Sequence, residues 1–315
     1  MSTSFTERTQ TQKFRNLLRL IWKYRMVYTL LAPGLIWYII FVYGPMGGLT
    51  LAFKSYRVSG GIWGSPWVGM ENFKYIFVDQ AFIRSVVRTL EINLGRMVFQ
   101  FPMAIVIALL LNEVIFLRMK KSLQTILTFP HFLSWVVLSS VLITVLSYDG
   151  FVNGMIKTFG LKSFNFLGNE SIFVPLLYIT EIWKSSGWGA IIYLAAISGI
   201  DAEQYEAAAI DGVNRFQRMF HITLPGIMPT IIVMFILTMG GLMSTGFDQI
   251  FNLSNDAVRG VAETLDMYIY KISFQSAPDF SYSTAVSLFR SVINMALLLA
   301  ADRIAKLMGK DGLMG

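Results

Sequence analysis

Residues 201–225 read DAEQYEAAAIDGVNRFQRMFHITLP. Asp201 stands where it can cap a helix, with Gln204 three residues on in a capping-box arrangement. Ala207, Ala208 and Ala209 favour helix and leave almost no side chain. Gly212 sits where a helix commonly ends with positive φ. Asn214 followed by Gln217 repeats the cap signal, and Pro225 after Leu224 resets the chain direction. The spacing predicts two short helices joined by a tight turn. A short alanine-rich helix with one outward carboxylate, Glu206, suits a groove on another protein. Missing side chains let backbones approach, and the carboxylate fixes register through an Arg or Lys of the partner. Taken alone, these local features fit an ordinary amphipathic loop helix better.

The flanks change the weighing. A membrane span needs about 20 mostly apolar residues. Such a run precedes the segment at 172–198, and another follows at 226–247. Further out lie 26–53, 89–111, 122–148 and 284–301. These six spans must be helical, so that backbone groups are satisfied inside lipid. The expected fold is therefore an all-α membrane protein with six transmembrane helices. Composition agrees: the 315 residues are 55% hydrophobic and only 14% charged, with mean hydropathy +0.57. A soluble domain carries about a quarter charged residues.

Basic residues set the orientation. With the N-terminus inside, fourteen lysines and arginines fall on the cytoplasmic side and nine outside. The cluster from Lys13 to Arg25 decides the matter, so both termini are expected to be cytoplasmic. The chain then divides into a basic tail at 1–25, a membrane domain at 26–301 containing the loop at 199–225, and a C-terminal tail at 302–315. A cleaved signal peptide fits poorly, because the first apolar run is too long and no small-x-small site precedes the next charged stretch. The outer loop at 54–88 carries Trp63, Trp67, Phe73, Tyr75 and Phe77, either an interfacial belt or a surface for a partner outside. The net charge of +7 is a membrane-topology signature, since no basic, aromatic-interleaved soluble domain exists to bind nucleic acid. No cysteine is present, and His131 and His221 fit no metal-ligand spacing. No metal site is expected.

Glu206-Ala207-Ala208, three residues, Gly212, nine residues, Ile222, one residue, then Leu224-Pro225 is similar at each marked position to the EAA signature of ABC importer permeases. Chance agreement at seven specified positions is roughly 10⁻⁸ per window. Tyr28–Phe53, the WVGMENF stretch at 67–73 and GFDQIF at 246–251 resemble the carbohydrate-uptake branch of that family. They are most similar to its lipoprotein-B-like members, which include permeases for alginate and other oligosaccharides. The resemblance covers nearly the whole chain. It implies a type I importer core, with Glu206 as polar anchor of an ATPase-coupling helix, Ala207 and Ala208 for close approach, and Gly212 for the turn. It also implies the partners: a second homologous permease, two cytoplasmic ATPase subunits and an extracytoplasmic sugar-binding protein. The chain departs from the maltose-type permease in lacking extra N-terminal helices and a large outer domain. It contains no G-x-x-x-x-G-K-[ST] phosphate loop, so ATP and Mg belong to the partner ATPase, and no cofactor is expected here. No Ser/His/Asp set or paired carboxylates fall in a plausible pocket, and a transport subunit, not an enzyme, is expected.

Ionisable groups within spans are functional candidates by default. Glu181, Lys184, Ser185 and Trp188 stand at i, i+3, i+4 and i+7, offering hydrogen-bonding groups and an aromatic platform for sugars. By resemblance the same stretch lines the sugar site of maltose-type relatives, although Lys184 replaces an apolar residue. The competing reading is a self-neutralising pair that locks the fourth span against a neighbour. Met243, Gly246 and Arg290 complete the expected substrate pathway. Lys184 with Arg290 points to an anionic oligosaccharide such as a uronate chain. Arg96 is expected to snorkel or to pair with Glu91. Gly240/Ser244 and Gly241/Thr245 have small-xxx-small spacing, for ordinary packing or for a seam or bend beside the passage. Pro33 and Pro130 are expected to mark kinks. The rival function is an ion-coupled secondary transporter working through Glu181, Lys184 and Arg290. It would be favoured by inverted repeats, which the sequence does not display.

Overall fold

The computed structural model describes residues 22–244, 246–275 and 277–307, with the single positions 15, 19, 20, 309 and 312. Most of the 1–25 tail lies outside these, as do Thr245 and Lys310. Among the described residues the regular elements are helical, and one isolated antiparallel bridge joins Lys54 to Trp67.

The first helix, α1 (Arg25–Tyr38), continues through a wide turn at Ile39–Tyr43 into a tight coil at Gly44–Phe53. Pro33 lies inside α1, and Pro45 opens the coil, where its missing N–H is least costly. No residue of α1 is buried, and the coil packs on the last helix and on the short helices Gly61–Gly64 and Glu71–Ile76. The second helix, α2 (Gln80–Asn112), starts at Asp79, whose carboxylate accepts from the Ala81 N–H at 2.9 Å.

The third expected span, 122–148, is not one helix. It divides into α3 (Leu117–Thr128), a tight turn at Phe129–Phe132 and α4 (Trp135–Leu146). Pro130 cannot donate within a helix, and Leu133 and Ser134 are extended. The proline thus breaks the span where a kink was expected. Helix α5 (Glu170–Ser198) runs along α2 for much of its length.

Beyond it come α6 (Ala202–Ile210) and α7 (Arg215–Arg218), then α8 (Met228–Gly240), α9 (Phe247–Leu253), α10 (Leu265–Phe274) and α11 (Phe280–Leu307). The fifth expected span, 226–247, is shorter than anticipated: α8 ends at Gly240, and a turn leads into α9. A Cβ on Gly240 would lie 2.6 Å from Leu298, and Asn294 donates to Ser244 at 2.7 Å, so this small-residue face packs within the chain, on α11. The Gly241/Thr245 pair lies partly outside the described residues.

Among the described residues, four stretches are long and apolar enough to cross a membrane: Arg25–Phe53, Gln80–Asn112, Trp135–Thr158 and Phe280–Leu307. A fifth arises if Arg215–Gly226 and Met228–Gly240, bent by 60°, count as one. Helix α5, at 29 residues, is long enough, but Glu181, Lys184 and its serines dilute its hydropathy. Three apolar clusters hold α2, α5 and their neighbours together, centred on Phe82 with Val286, Phe173 with Ile250, and Ala108 with Tyr193. Between helices in lipid, close van der Waals packing does this work, because leaving lipid confers no hydrophobic gain.

Candidate functional site

The ends of α2 and α5 meet α6 and α7, and this end of the bundle carries the 199–225 loop. Asp201 accepts from the Glu203 N–H at 3.0 Å, so the first helix is capped; Gln204 adds no reciprocal bond. Its C-terminus closes through Gly212 at φ 73°, where Val213 N–H reaches back to the Ala208 carbonyl at 3.0 Å. A side chain at that φ would be strained, and glycine removes the strain. Asn214 and Gln217 then exchange bonds at 2.9 and 3.0 Å, a full capping box for α7.

Glu206, Ala207, Gly212 and Pro225 are exposed, Ala208 is buried, and Ile222 and Leu224 are half-buried. Two further side chains stand outward, Ile210 at 87% and Phe216 at 73% exposure. They enlarge the apolar part of the face that Glu206 and Ala207 present. The loop is braced from behind. Tyr205 Oη lies 3.1 Å from Thr223 Oγ1, and Arg218 bridges Glu113, just past α2, at 3.0 Å. These braces span 18 and 105 residues of sequence, and neither stands out in the sequence.

A cavity of about 570 Å³ opens between α2, α5, α8 and the start of α9. Glu181, Ser185 and Gly246 line it, together with Asn93, Arg96, Gln100, Trp135 and Asp248. Ser185 donates to Glu181 Oε1 at 2.5 Å, and Gln100 Nε2 lies 3.5 Å from the same oxygen. Lys184 is elsewhere. Its ammonium donates to the His131 and Leu133 carbonyls at 2.9 and 2.8 Å, capping backbone that the break at Pro130 leaves free. Trp188 stacks flat on His131, centroids 4.7 Å apart. Met243 is buried and donates its N–H to Asn294 at 3.0 Å. Arg290 is ion-paired with Asp266.

The four-residue stripe on α5 thus divides between two faces. At about 100° per residue, the i, i+4, i+8 row turns slowly about the helix, and the i+3 position lies to its other side. Glu181, Ser185 and Gly189 face the cavity; Lys184 and Trp188 face the broken span. Arg96 also departs from expectation. Glu91 pairs with Arg88 at 2.7 Å, while Arg96 is buried at 6% exposure and donates to Gln249. Gln249 is fully buried and in turn donates to Leu177 O and Thr180 Oγ1, both at 2.8 Å. Gly246, at φ 89°, lets the guanidinium in: a Cβ there would overlap it.

Residues 100–310 match the family described as the inner membrane component of binding-protein-dependent transport systems. The chain belongs to that family. The permease is 41% identical over 290 residues to Protein LplB of Bacillus subtilis, covering 92% of this chain and 91% of that one. It is 40% identical over 303 residues to the polygalacturonan/rhamnogalacturonan transport system permease protein YteP of the same organism, covering 96% and 94%. Among solved structures, a bacterial ABC transporter involved in import of the acidic polysaccharide alginate superposes with a TM-score of 0.85 at 35% identity, covering 94% of this chain and 100% of that one. The same fit is found where that transporter is in complex with an alginate pentasaccharide-bound periplasmic protein. The permease is therefore a multi-pass protein of the inner membrane. Its family match takes in the 199–225 loop and Glu181, while Arg96 and α1 precede it.

Proposed function

We propose that this permease forms the passage of an ABC importer for acidic oligosaccharides, driven by a separate ATPase docked on the 199–225 loop. Six helical segments, α5 and the bent α8 among them, cross the membrane with both termini cytoplasmic, the basic tail at 1–25 and the tail at 302–315 flanking the membrane domain. A second, homologous permease completes the pathway. Two ATPase subunits hold ATP and Mg, and an extracytoplasmic binding protein delivers the sugar. The observation that carries this reading is the braced loop: Glu206 and Ala207 exposed on a rigid turn, fixed to α2 through Arg218 and Glu113. The acidic cargo is supported by the relatives, one for polygalacturonan and one for alginate.

Lys184 and Arg290 no longer support an anionic cargo, since backbone carbonyls hold one and Asp266 holds the other. The same engagements count against ion coupling through these two groups. Co-purification tests the proposal directly. The importer reading expects the tagged permease to bring down an ATPase subunit, and Glu206→Lys to lower its recovery or its coupling. A permease that purifies alone and accumulates sugar on an ion gradient would overturn it.

A further inference from the structure

We infer that Arg96 reads a carboxylate of the cargo in the central cavity, while Glu181 receives hydroxyls of the same sugar. This rests on the acidic-oligosaccharide reading and adds the residue that enforces it.

Arg96 stands midway along α2, 16 residues from either end by number. That is about 24 Å from each end of the helix and inside the apolar span expected at 89–111. A cation placed there is expensive, and it normally meets a carboxylate or serves a pathway. No carboxylate lies within 4 Å of this one among the described residues. Glu91 is engaged by Arg88, and Glu181 takes its bonds from Ser185 and Gln100. Arg96 is buried, at 6% exposure, yet among the described residues its hydrogen-bond partner is the neutral Gln249, and its Nε finds no acceptor. The structure nevertheless holds it firmly. Gln249 is anchored by two bonds of its own, and Gly246 supplies the one backbone shape that clears the guanidinium. A fixed positive charge that forms no ion pair within 4 Å among the described residues, on the wall of an open cavity it shares with Glu181, is a preorganised anion site.

The neighbouring charge narrows the ligand. Glu181 shares the cavity, so a densely anionic ligand such as a phosphate is disfavoured. A uronate ring carries one carboxyl group and several hydroxyls. The carboxyl suits the guanidinium fork, and the hydroxyls suit a carboxylate acceptor beside Ser185 and Gln100. Trp135 and Phe247 also line the cavity and add aromatic surface for the C–H side of the ring. The volume, about 570 Å³, is ample for a ring of this kind.

The test uses the assembled importer, reconstituted without its binding protein, and equilibrium binding of trigalacturonate against its carboxyl-reduced, neutral counterpart. The wild type should bind the uronate at least about tenfold tighter, a single charge-assisted contact. Arg96→Met should bring the two affinities within about twofold of each other, and Arg96→Lys should keep most of the preference. A purely structural clamp would lower stability and weaken both ligands together. Equal affinities in the wild type, or an unchanged ratio in Arg96→Met, would overturn the inference; if Arg96→Met does not assemble, the neutral Arg96→Gln replaces it, and an unchanged ratio there does so. Uptake of trigalacturonate by the wild type with its binding protein reports on the cargo reading separately. Uptake with an unchanged ratio in Arg96→Met sinks only the role of Arg96, whereas uptake of the neutral sugar alone sinks the cargo.

Discussion

The 199–225 loop and the central cavity adjoin the same helix, α5, yet they are specified in opposite ways. Within the loop only the braces reach further, and the contacts that cap its helices and close its turn are local: Asp201 to Glu203, Val213 to Ala208, Asn214 to Gln217. In the cavity they are distant: Arg96 to Gln249 and Lys184 to His131. A local contact is written in adjacent letters. A distant one depends on which helix faces land opposite each other, and side-chain chemistry at one position does not reveal that.

Substitutions sharpen this contrast, beginning with the largest expected effect. Glu206→Lys reverses the charge of the exposed anchor without touching a packed residue. We expect ATPase activity stimulated by the binding protein to fall at least about tenfold, the scale of losing a charge-assisted contact, with the permease still inserted in the membrane. Normal stimulation and normal complex recovery would detach the loop from coupling. Lys184→Met should act on stability instead. It strips two half-buried carbonyls of their donor, at a cost of about 1 kcal/mol or more. The melting temperature in detergent should drop by several degrees, with cargo preference unaltered. A changed preference at an unchanged melting temperature would return Lys184 to the cavity.

Tyr205→Phe removes one hydrogen bond behind the loop, about 1 kcal/mol. Coupling efficiency should fall by a few-fold at most, measured as sugar moved per ATP hydrolysed. A loss as large as that of Glu206→Lys would mean that the brace, not the exposed face, carries the signal.

The smallest effect belongs to the far end of the bundle. Burial pushes the Asp79 carboxyl up, but hydrogen bonds from Tyr268, Tyr282 and the Ala81 and Phe82 N–H groups outweigh it, holding the carboxyl below its usual 3.8. A lowered carboxyl stabilises the folded state above the unfolded-state value and loses that contribution as pH falls through the folded one. Melting temperature should therefore be insensitive to this group from neutrality down to about pH 4, then decline. The decline should be shallower in Asp79→Asn. Identical acid limbs would show that this carboxylate contributes nothing to the far end.

The loop was legible because glycine, alanine, asparagine and proline each impose their own backbone geometry. Gly212 adopts the positive φ expected of it, and the Asn214–Gln217 box forms as its spacing predicts. The helical, membrane-spanning class was equally open to reading from hydropathy. What stayed hidden was the partner of each ionisable group. An i, i+3, i+4, i+7 stripe names one side of a helix but not which neighbour covers each edge, and α5 has two. Arg96 was read from its nearest acid in sequence, whereas Glu91 turned to Arg88 and Arg96 reached Gln249, 153 residues away. The break at Pro130 carried a clear local sign. Its consequence, a need for a donor from α5, did not.

Helix α5 also has a mechanical consequence. It runs without interruption from the cavity wall at Glu181 to Ser198, three residues before the cap of α6. At 1.5 Å per residue this rod is about 25 Å long. Pivoted at its loop end, a tilt of about 5° swings Glu181 through about 2 Å, enough to make or break a hydrogen bond. A displacement too small to disturb any contact in the loop is thus magnified at the cavity wall, and the rod needs no moving parts of its own.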